Sequence, residues 1–154
     1  MRRPREGPQW VIGWREWIAL PDLGISAIKV KLDTGARSSA LHASDIERFR
    51  RRGKPMLRFV VHPFQGDERH EVRAEAELID ERRVRNSFGQ VELRPLLRTR
   101  AVLAGRSWEF DLTLTNRDEM GFRMLLGREA LRGRFLVDPA RSFQGGAPAA
   151  EGRP

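Results

Sequence analysis

The sequence predicts a mainly β fold: a closed β-structure with one or two short helices. Three observations lead there. Short apolar stretches recur with turn signals every ten residues or so, several of them alternate with a period of two, and only two brief segments have helical character. At 154 residues the chain suits one domain with a sizeable core. That domain is expected over residues 9–143, between a basic tail at 1–8 and a Gly-, Pro- and Ala-rich tail at 144–154.

The elements follow in order. Trp10 to Leu20 is rich in Trp, Ile and Val and stops at Pro21-Asp22-Leu23-Gly24, a turn signal. In Ile25 to Leu32, Ile28, Val30 and Leu32 point one way and Lys29 and Lys31 the other, as in a half-buried strand. After a turn at Asp33-Thr34-Gly35, Ala36 to His42 continues as a strand. A short helix is expected next: Ser44 caps it, Asp45 and Glu47 suit its first turn, Ile46 and Phe49 share a face, and Gly53 stops it. Met56 to Phe64 and Val72 to Ile79 read as strands joined by a turn at 64–68. Asp80 to Phe88 is polar and Arg-rich. Val91 to Leu97 and Ala101 to Leu103 read as strands, and Ala104 to Ser107 as a hairpin turn into the alternating stretch Trp108 to Leu114. Met124 to Leu126 reads as a buried strand, followed by a glycine and one helical turn.

Composition narrows the function. Without cysteine there are no disulfides, thiolate metal sites or Cys nucleophile. No apolar run approaches the roughly 20 residues that span a bilayer, and the basic N-terminus lacks the apolar core of a secretory signal. A cytoplasmic protein without a membrane partner is expected. Net charge is +8, and all but three of the 29 basic residues are Arg. Such a surface attracts polyanions, whether nucleic acid, membrane or acidic peptide. No phosphate loop of the Gly-x-x-x-x-Gly-Lys-Ser/Thr type and no His-Glu-x-x-His occurs. The three histidines, His42, His62 and His70, read as structural or surface residues. No cofactor and no metal is expected.

Asp33-Thr34-Gly35-Ala36 combines a carboxylate that can activate water, a hydroxyl that can fix a turn, and a glycine that lets backbone approach backbone. Alone, these are ordinary turn residues. Far downstream stands Met124-Leu125-Leu126-Gly127-Arg128. The pair resembles the two halves of an aspartic peptidase site, in which an apolar-apolar-Gly segment passes beneath the catalytic loop. The resemblance extends to Trp14-Arg15-Glu16, Leu20-Pro21, the block from Asp33 to Ala43, Arg85-Asn86-Ser87-Phe88-Gly89 and Asn116-Arg117. Over roughly residues 10–143 the chain resembles the bacterial retropepsin-like aspartic peptidases long labelled ATP-dependent zinc proteases. That resemblance implies a closed, single-lobed retropepsin-like acid-protease β-barrel, a functional link to ATP-grasp ligases that add glutamate to proteins, and an acidic, glutamate-extended or glutamylated protein substrate. The residues support neither the ATP nor the zinc of the label.

Aspartic peptidase chemistry needs two carboxylates sharing one proton. The chain has one Asp-Thr-Gly, so a homodimer is expected, with Asp33 from each subunit on the two-fold axis. Asp111 or Asp138 would be the second acid in a monomer. Asp33, Thr34 and Gly35 are the catalytic candidates, Thr34 bonding across to its twin. Leu125, Leu126 and Gly127 support the loop. Arg37, Arg85, Arg94 and Arg128 are candidates for reading substrate carboxylates, with Ala36, Ser38 and His42 lining or orienting the site. The flap is expected in Arg82 to Leu97 or, alternatively, at Gln65 to Arg69. A competing reading is a basic β-barrel binding module for RNA or an acidic protein, with Trp10, Trp14 and Trp17 as stacking platforms; nucleic acid is not the expected partner.

Overall fold

The computed structural model describes residues 10–86, 88–117 and 121–146. The stretches 1–8 and 147–154, expected as tails, lie outside the described residues, as does Ser87. The strands are β1 (Trp10–Leu20), β2 (Ile25–Asp33), β3 (Ser39–His42), β4 (Ser44–Arg51), β5 (Lys54–Val61), β6 (Val72–Glu77), β7 (Asp80–Arg85), β8 (Val91–Leu103), β9 (Arg106–Thr115), β10 (Met124–Gly127) and β11 (Phe135–Ser142). One four-residue helix, α1 (Arg128–Leu131), follows β10.

Eight strands form one sheet in the order β11-β1-β2-β10-β3-β9-β8-β7. It curls until β1 meets β8 at Ala19 and Val102, which closes a six-stranded barrel and leaves β11 and β7 as extensions. Alternation drives the closure. Ile18, Ile28, Leu41, Leu97, Leu112 and Leu126 all point inward and are fully buried, each contributing about 1.5–3 kcal/mol of hydrophobic free energy. The turn from β1 to β2 follows its residue types: Pro21 starts a short 3-10 turn, and Gly24, at φ +76°, donates its N–H to the Pro21 carbonyl at 3.0 Å.

The helix expected from Ser44 is instead β4, in a separate sheet ordered β4-β5-β6. Its charges are satisfied across strands: Glu47 pairs with Arg58 at 3.1 Å, Arg51 with Glu75 at 2.9 Å, and Arg58 with Glu75 at 3.1 Å. Arg58 also stacks over Phe49, 4.1 Å from the ring centroid. Arg52 and Gly53, both at positive φ, form a two-residue hairpin turn rather than a helix stop. A local capping pattern lost to non-local pairing. Two further differences matter for the site. Val91 to Leu103 is one strand rather than two, and the polar run Asp80–Arg85 is its hairpin partner.

The segment after β11 is held by a carboxylate. Glu16 is fully buried, and its oxygens accept the N–H groups of Gly13 at 2.6 Å and of Gln144 and Gly145 at 2.9 Å each. Residues 144–145, assigned by composition to a tail, are thus bound to β1. Trp17 stacks on Phe143 with centroids 5.9 Å apart.

Candidate active site

Strand β2 delivers Asp33 to the rim of the barrel, and the chain then turns through Thr34 to Ser38 into β3. The turn is closed by the Ala36 N–H donating to the Asp33 carbonyl at 3.1 Å and the Gly35 N–H donating to Asp33 Oδ1 at 3.1 Å. Strand β10 inserts between the two arms of this loop. It runs parallel to β2, with Leu126 beside Leu32 and Gly127 beside Asp33, and antiparallel to β3, with Leu125 beside Ala40. The crossing is tight. A Cβ on Gly127 would fall 2.5 Å from the Ser38 carbonyl oxygen. The Gly127 N–H donates to Ser39 Oγ at 3.0 Å, and the Ser39 carbonyl accepts from Thr113 Oγ1 at 2.8 Å. Past the crossing, the N–H groups of Arg128 and Glu129 donate to the carbonyls of Ala36 and Arg37. At Gly35, by contrast, a Cβ would meet only Asp33 Oδ1, at 3.4 Å, within the protomer. The close backbone approach lies at Gly127, where the apolar-apolar-Gly segment is expected to cross, and within one chain it is not found at Gly35.

Asp33 opens into a cleft of about 940 Å³. Gly35, Ala36, Arg37, Ser38 and Leu125 line it on the loop side, and Arg82, Arg83, Val84, Arg85, Asn86 and Arg94 line it from the β7–β8 hairpin. Of the two segments expected as flap, this hairpin is the one at the cleft. The turn at 65–69 is elsewhere, its Glu68 bonded to Arg123 at 3.0 Å. The hairpin tip carries Phe88, 75 % exposed, with Val91 and Leu93 exposed on the following strand.

The hairpin is tied to the barrel through Glu92, a residue the motifs did not single out. Its carboxylate accepts from Asn86 Nδ2 at 3.0 Å, Arg94 Nε at 2.9 Å and Thr115 Oγ1 at 3.2 Å, and pairs with Arg117. Burial pushes this carboxyl up, but the bonds from Asn86, Arg94 and Thr115 outweigh it and hold it below the usual carboxylate range. Asn86 Oδ1 in turn accepts the N–H groups of Phe88 and Gln90, which shapes the tip. Arg94, only 3 % exposed, therefore reaches the cleft wall from a braced position.

The other candidates divide. Arg37 lines the cleft but pairs with Glu129 at 2.9 Å; the Arg37 hydrogen bond holds Glu129 below its ordinary range. Arg85 donates to the Gly89 carbonyl at 2.6 Å while lining the cleft. Arg128 lies outside the lining and braces the loop instead, donating from Nη1 to the Gly35 carbonyl at 3.2 Å. His42 is not in the lining either; its Nδ1 is 3.0 Å from Arg123 Nη1. Thr34 is exposed at the apex, and its hydroxyl bonds to nothing among the described residues. Asp111 lines the cleft but pairs with Arg98 at 2.9 Å, and Asp138 caps a turn in β11. The arginines that motif reading missed are Arg82 and Arg83, which line the cleft with no carboxylate within ion-pair distance among the described residues. The charge run at 80–85 was their signal, once seen as a strand of the hairpin. Trp14 packs edge-on to Phe122 with centroids 5.9 Å apart, so it and Trp17 are occupied by packing. Among the described residues no three His, Asp or Glu side chains cluster as a metal site, and no helix is long and apolar enough to cross a membrane.

A closed barrel whose Asp-Thr-Gly loop is crossed by an apolar-apolar-Gly strand is a retropepsin-like domain. The profile of the family described as the retropepsin-like aspartic endopeptidase RimB matches residues 11–147, and the chain belongs to this RimB-like family. It is 47 % identical over 135 residues to a protein of Shewanella halifaxensis, and 48 % identical over 130 residues to one of Desulfotalea psychrophila. Both carry the name probable alpha-L-glutamate ligase. The matches cover 88 % and 84 % of this chain but only 30 % and 28 % of those relatives. A crystal structure of a Legionella pneumophila protein of unknown function superposes with a TM-score of 0.73 at 29 % identity, covering 90 % of this chain and 99 % of that one.

Proposed function

We propose that the chain is one half of an aspartic peptidase that hydrolyses peptide bonds in acidic, glutamate-containing peptides. The observation that carries this is the placement of Asp33: a carboxylate held by its own turn over the β10 crossing, at the mouth of a cleft walled by arginines. Two copies related by a two-fold axis bring two Asp33 carboxyls together. Like charges about 3 Å apart cannot both ionise, so the pair holds one proton and titrates as a unit. One carboxyl donates that proton toward the scissile carbonyl oxygen while the other takes a proton from water, whose oxygen adds to the carbonyl carbon. Collapse of the resulting diol breaks the C–N bond as the amine nitrogen takes up a proton, leaving an acid and an amine. The exposed, unbonded Thr34 hydroxyl is free to bond its twin across the axis.

Substrate class rests on charge. Arg82 and Arg83 offer forks that match carboxylates bidentately, and Arg94 is held at the wall by Glu92. The ligase name of the longer relatives supports glutamate as the acidic residue, with a peptidase of this kind removing what a ligase adds. Wild-type protein incubated with a poly-glutamate-tagged peptide is expected to yield shortened products by mass spectrometry, and Asp33→Asn to yield none. Equal cleavage by both proteins would end the aspartic-peptidase reading.

A further inference from the structure

A second groove, of about 410 Å³, runs between β8, β9 and α1. It shares Ser38, Arg82, Asp111 and Glu129 with the Asp33 cleft, so the two are continuous. Trp108 and Arg134 line the groove and not the cleft. The groove lining carries three arginines, Arg82, Arg98 and Arg134, and three carboxylates, but those carboxylates are already engaged. Each of its carboxylates already has an arginine: Glu129 has Arg37 at 2.9 Å, Asp111 has Arg98 at 2.9 Å, and Glu109 has Arg100 at 3.8 Å. Arg134 has no ion pair among the described residues. Its guanidinium lies over the Trp108 ring, 5.5 Å from the centroid, and its cationic neighbour is Arg106. Burial first, and then the Arg106 charge, push Arg134 below the ordinary arginine range, as expected of a cation lacking its anion. Trp108 is 7 % exposed, and its buried Nε1–H has no acceptor among the described residues. Stacking on Trp108 and solvation would account for Arg134 alone, but not for the opening of its groove toward the cleft.

We propose that this groove is a second carboxylate subsite, in which Arg134 receives an acidic side chain or terminal carboxylate of the substrate several residues from the bond that is cut. It rests on the acidic-peptide reading of the cleft. An extended peptide advances about 3.3 Å per residue, so only a peptide long enough to span from Asp33 into the groove can fill both. Affinity then rises in a step with length.

Binding is measured without turnover, by fluorescence anisotropy of labelled oligo-glutamate peptides of increasing length on Asp33→Asn. A gain of about tenfold is expected at the length that first reaches Arg134, the worth of one charge-assisted contact. Arg134→Gln removes that step and leaves the shortest peptides unchanged, while Arg134→Lys keeps most of it. A measurement independent of any change at Arg134 replaces the distal glutamate of the long peptide by glutamine, which also removes the step. Smooth growth with length, or equal weakening of short and long peptides by Arg134→Gln, overturns the proposal. Failure to bind any acidic peptide overturns it together with the substrate reading. Intact stepwise binding with no hydrolysis by wild type would remove only the catalytic reading.

Discussion

At the scale of single residues, the site depends on the absence of one methyl group. The Asp33 loop and β10 can interlock only because Gly127 presents no Cβ to the Ser38 carbonyl, which sits 2.5 Å from where that atom would stand. The obstacle is backbone within a loop hydrogen-bonded on both sides, so it cannot swing away as a side chain would. Gly127→Ala is expected to cost about 1–3 kcal/mol, the usual range for forced overpacking, read from urea denaturation. Its effect on hydrolysis should exceed its effect on stability, because the displaced segment is the one that carries Asp33. Gly127→Ala with full activity and unchanged stability would show that the crossing has slack the geometry does not suggest. Gly35 makes the useful contrast. It belongs to the motif, yet within one protomer nothing but Asp33 itself crowds it.

Among the elements, the β7–β8 hairpin has the most to do and was the least legible. Asp33 and the β10 segment could be read from sequence because each is a short contiguous motif whose residue types state their chemistry. The hairpin could not, because its meaning lies in register: Arg82 faces Arg94 and Val84 faces Glu92 only once the strands are paired. The same holds for β4, where Ser44, Ile46 and Phe49 imitate a capped amphipathic helix and only the partners Arg58 and Glu75 on β5 and β6 reveal a strand. Strand β11 went unread because Phe135–Ser142 has no clear alternation and is organised by its parallel pairing with β1. Glu92 carries the hairpin's stability, and the sign of its pH dependence follows from its position. Its folded pKa is lowered from the ordinary value of 4.5, so its stabilising bonds are complete above that value and are lost as the pH falls below it. Glu92→Gln should therefore lower stability at neutral pH by about 1–3 kcal/mol, as expected for a partly buried charged hydrogen-bond hub. The gap from wild type should close on acidification, as denaturation midpoints from pH 7 to pH 3 would show. Parallel curves across that range would mean that Glu92 is not the hub. Raised KM for acidic peptides should accompany the substitution, since Arg94 loses one of the groups that brace it.

For the whole molecule, the decisive quantity is the number of Asp33 carboxyls per active site. Barrel closure by β1 against β8, and the binding of residues 144–145 to Glu16 on β1, hold the described chain around one closed barrel that presents a single Asp33. Among the described residues, the other candidate acids are already engaged: Asp111 and Glu129 line the cleft but pair with Arg98 and Arg37, and Asp138 is engaged in β11. A site built at a two-fold axis has a statistical signature. When wild-type and Asp33→Asn protomers are mixed in equal amounts and allowed to exchange, roughly one quarter of random dimers carry two intact carboxyls. Activity per total protein should then fall to about a quarter of the wild-type value, not to the half expected if each protomer worked alone. Sedimentation of the same mixture must show a dimer for that arithmetic to apply. A monomer with activity falling linearly with the fraction of wild type would place both acids in one chain and make Asp111→Asn the next substitution to assay.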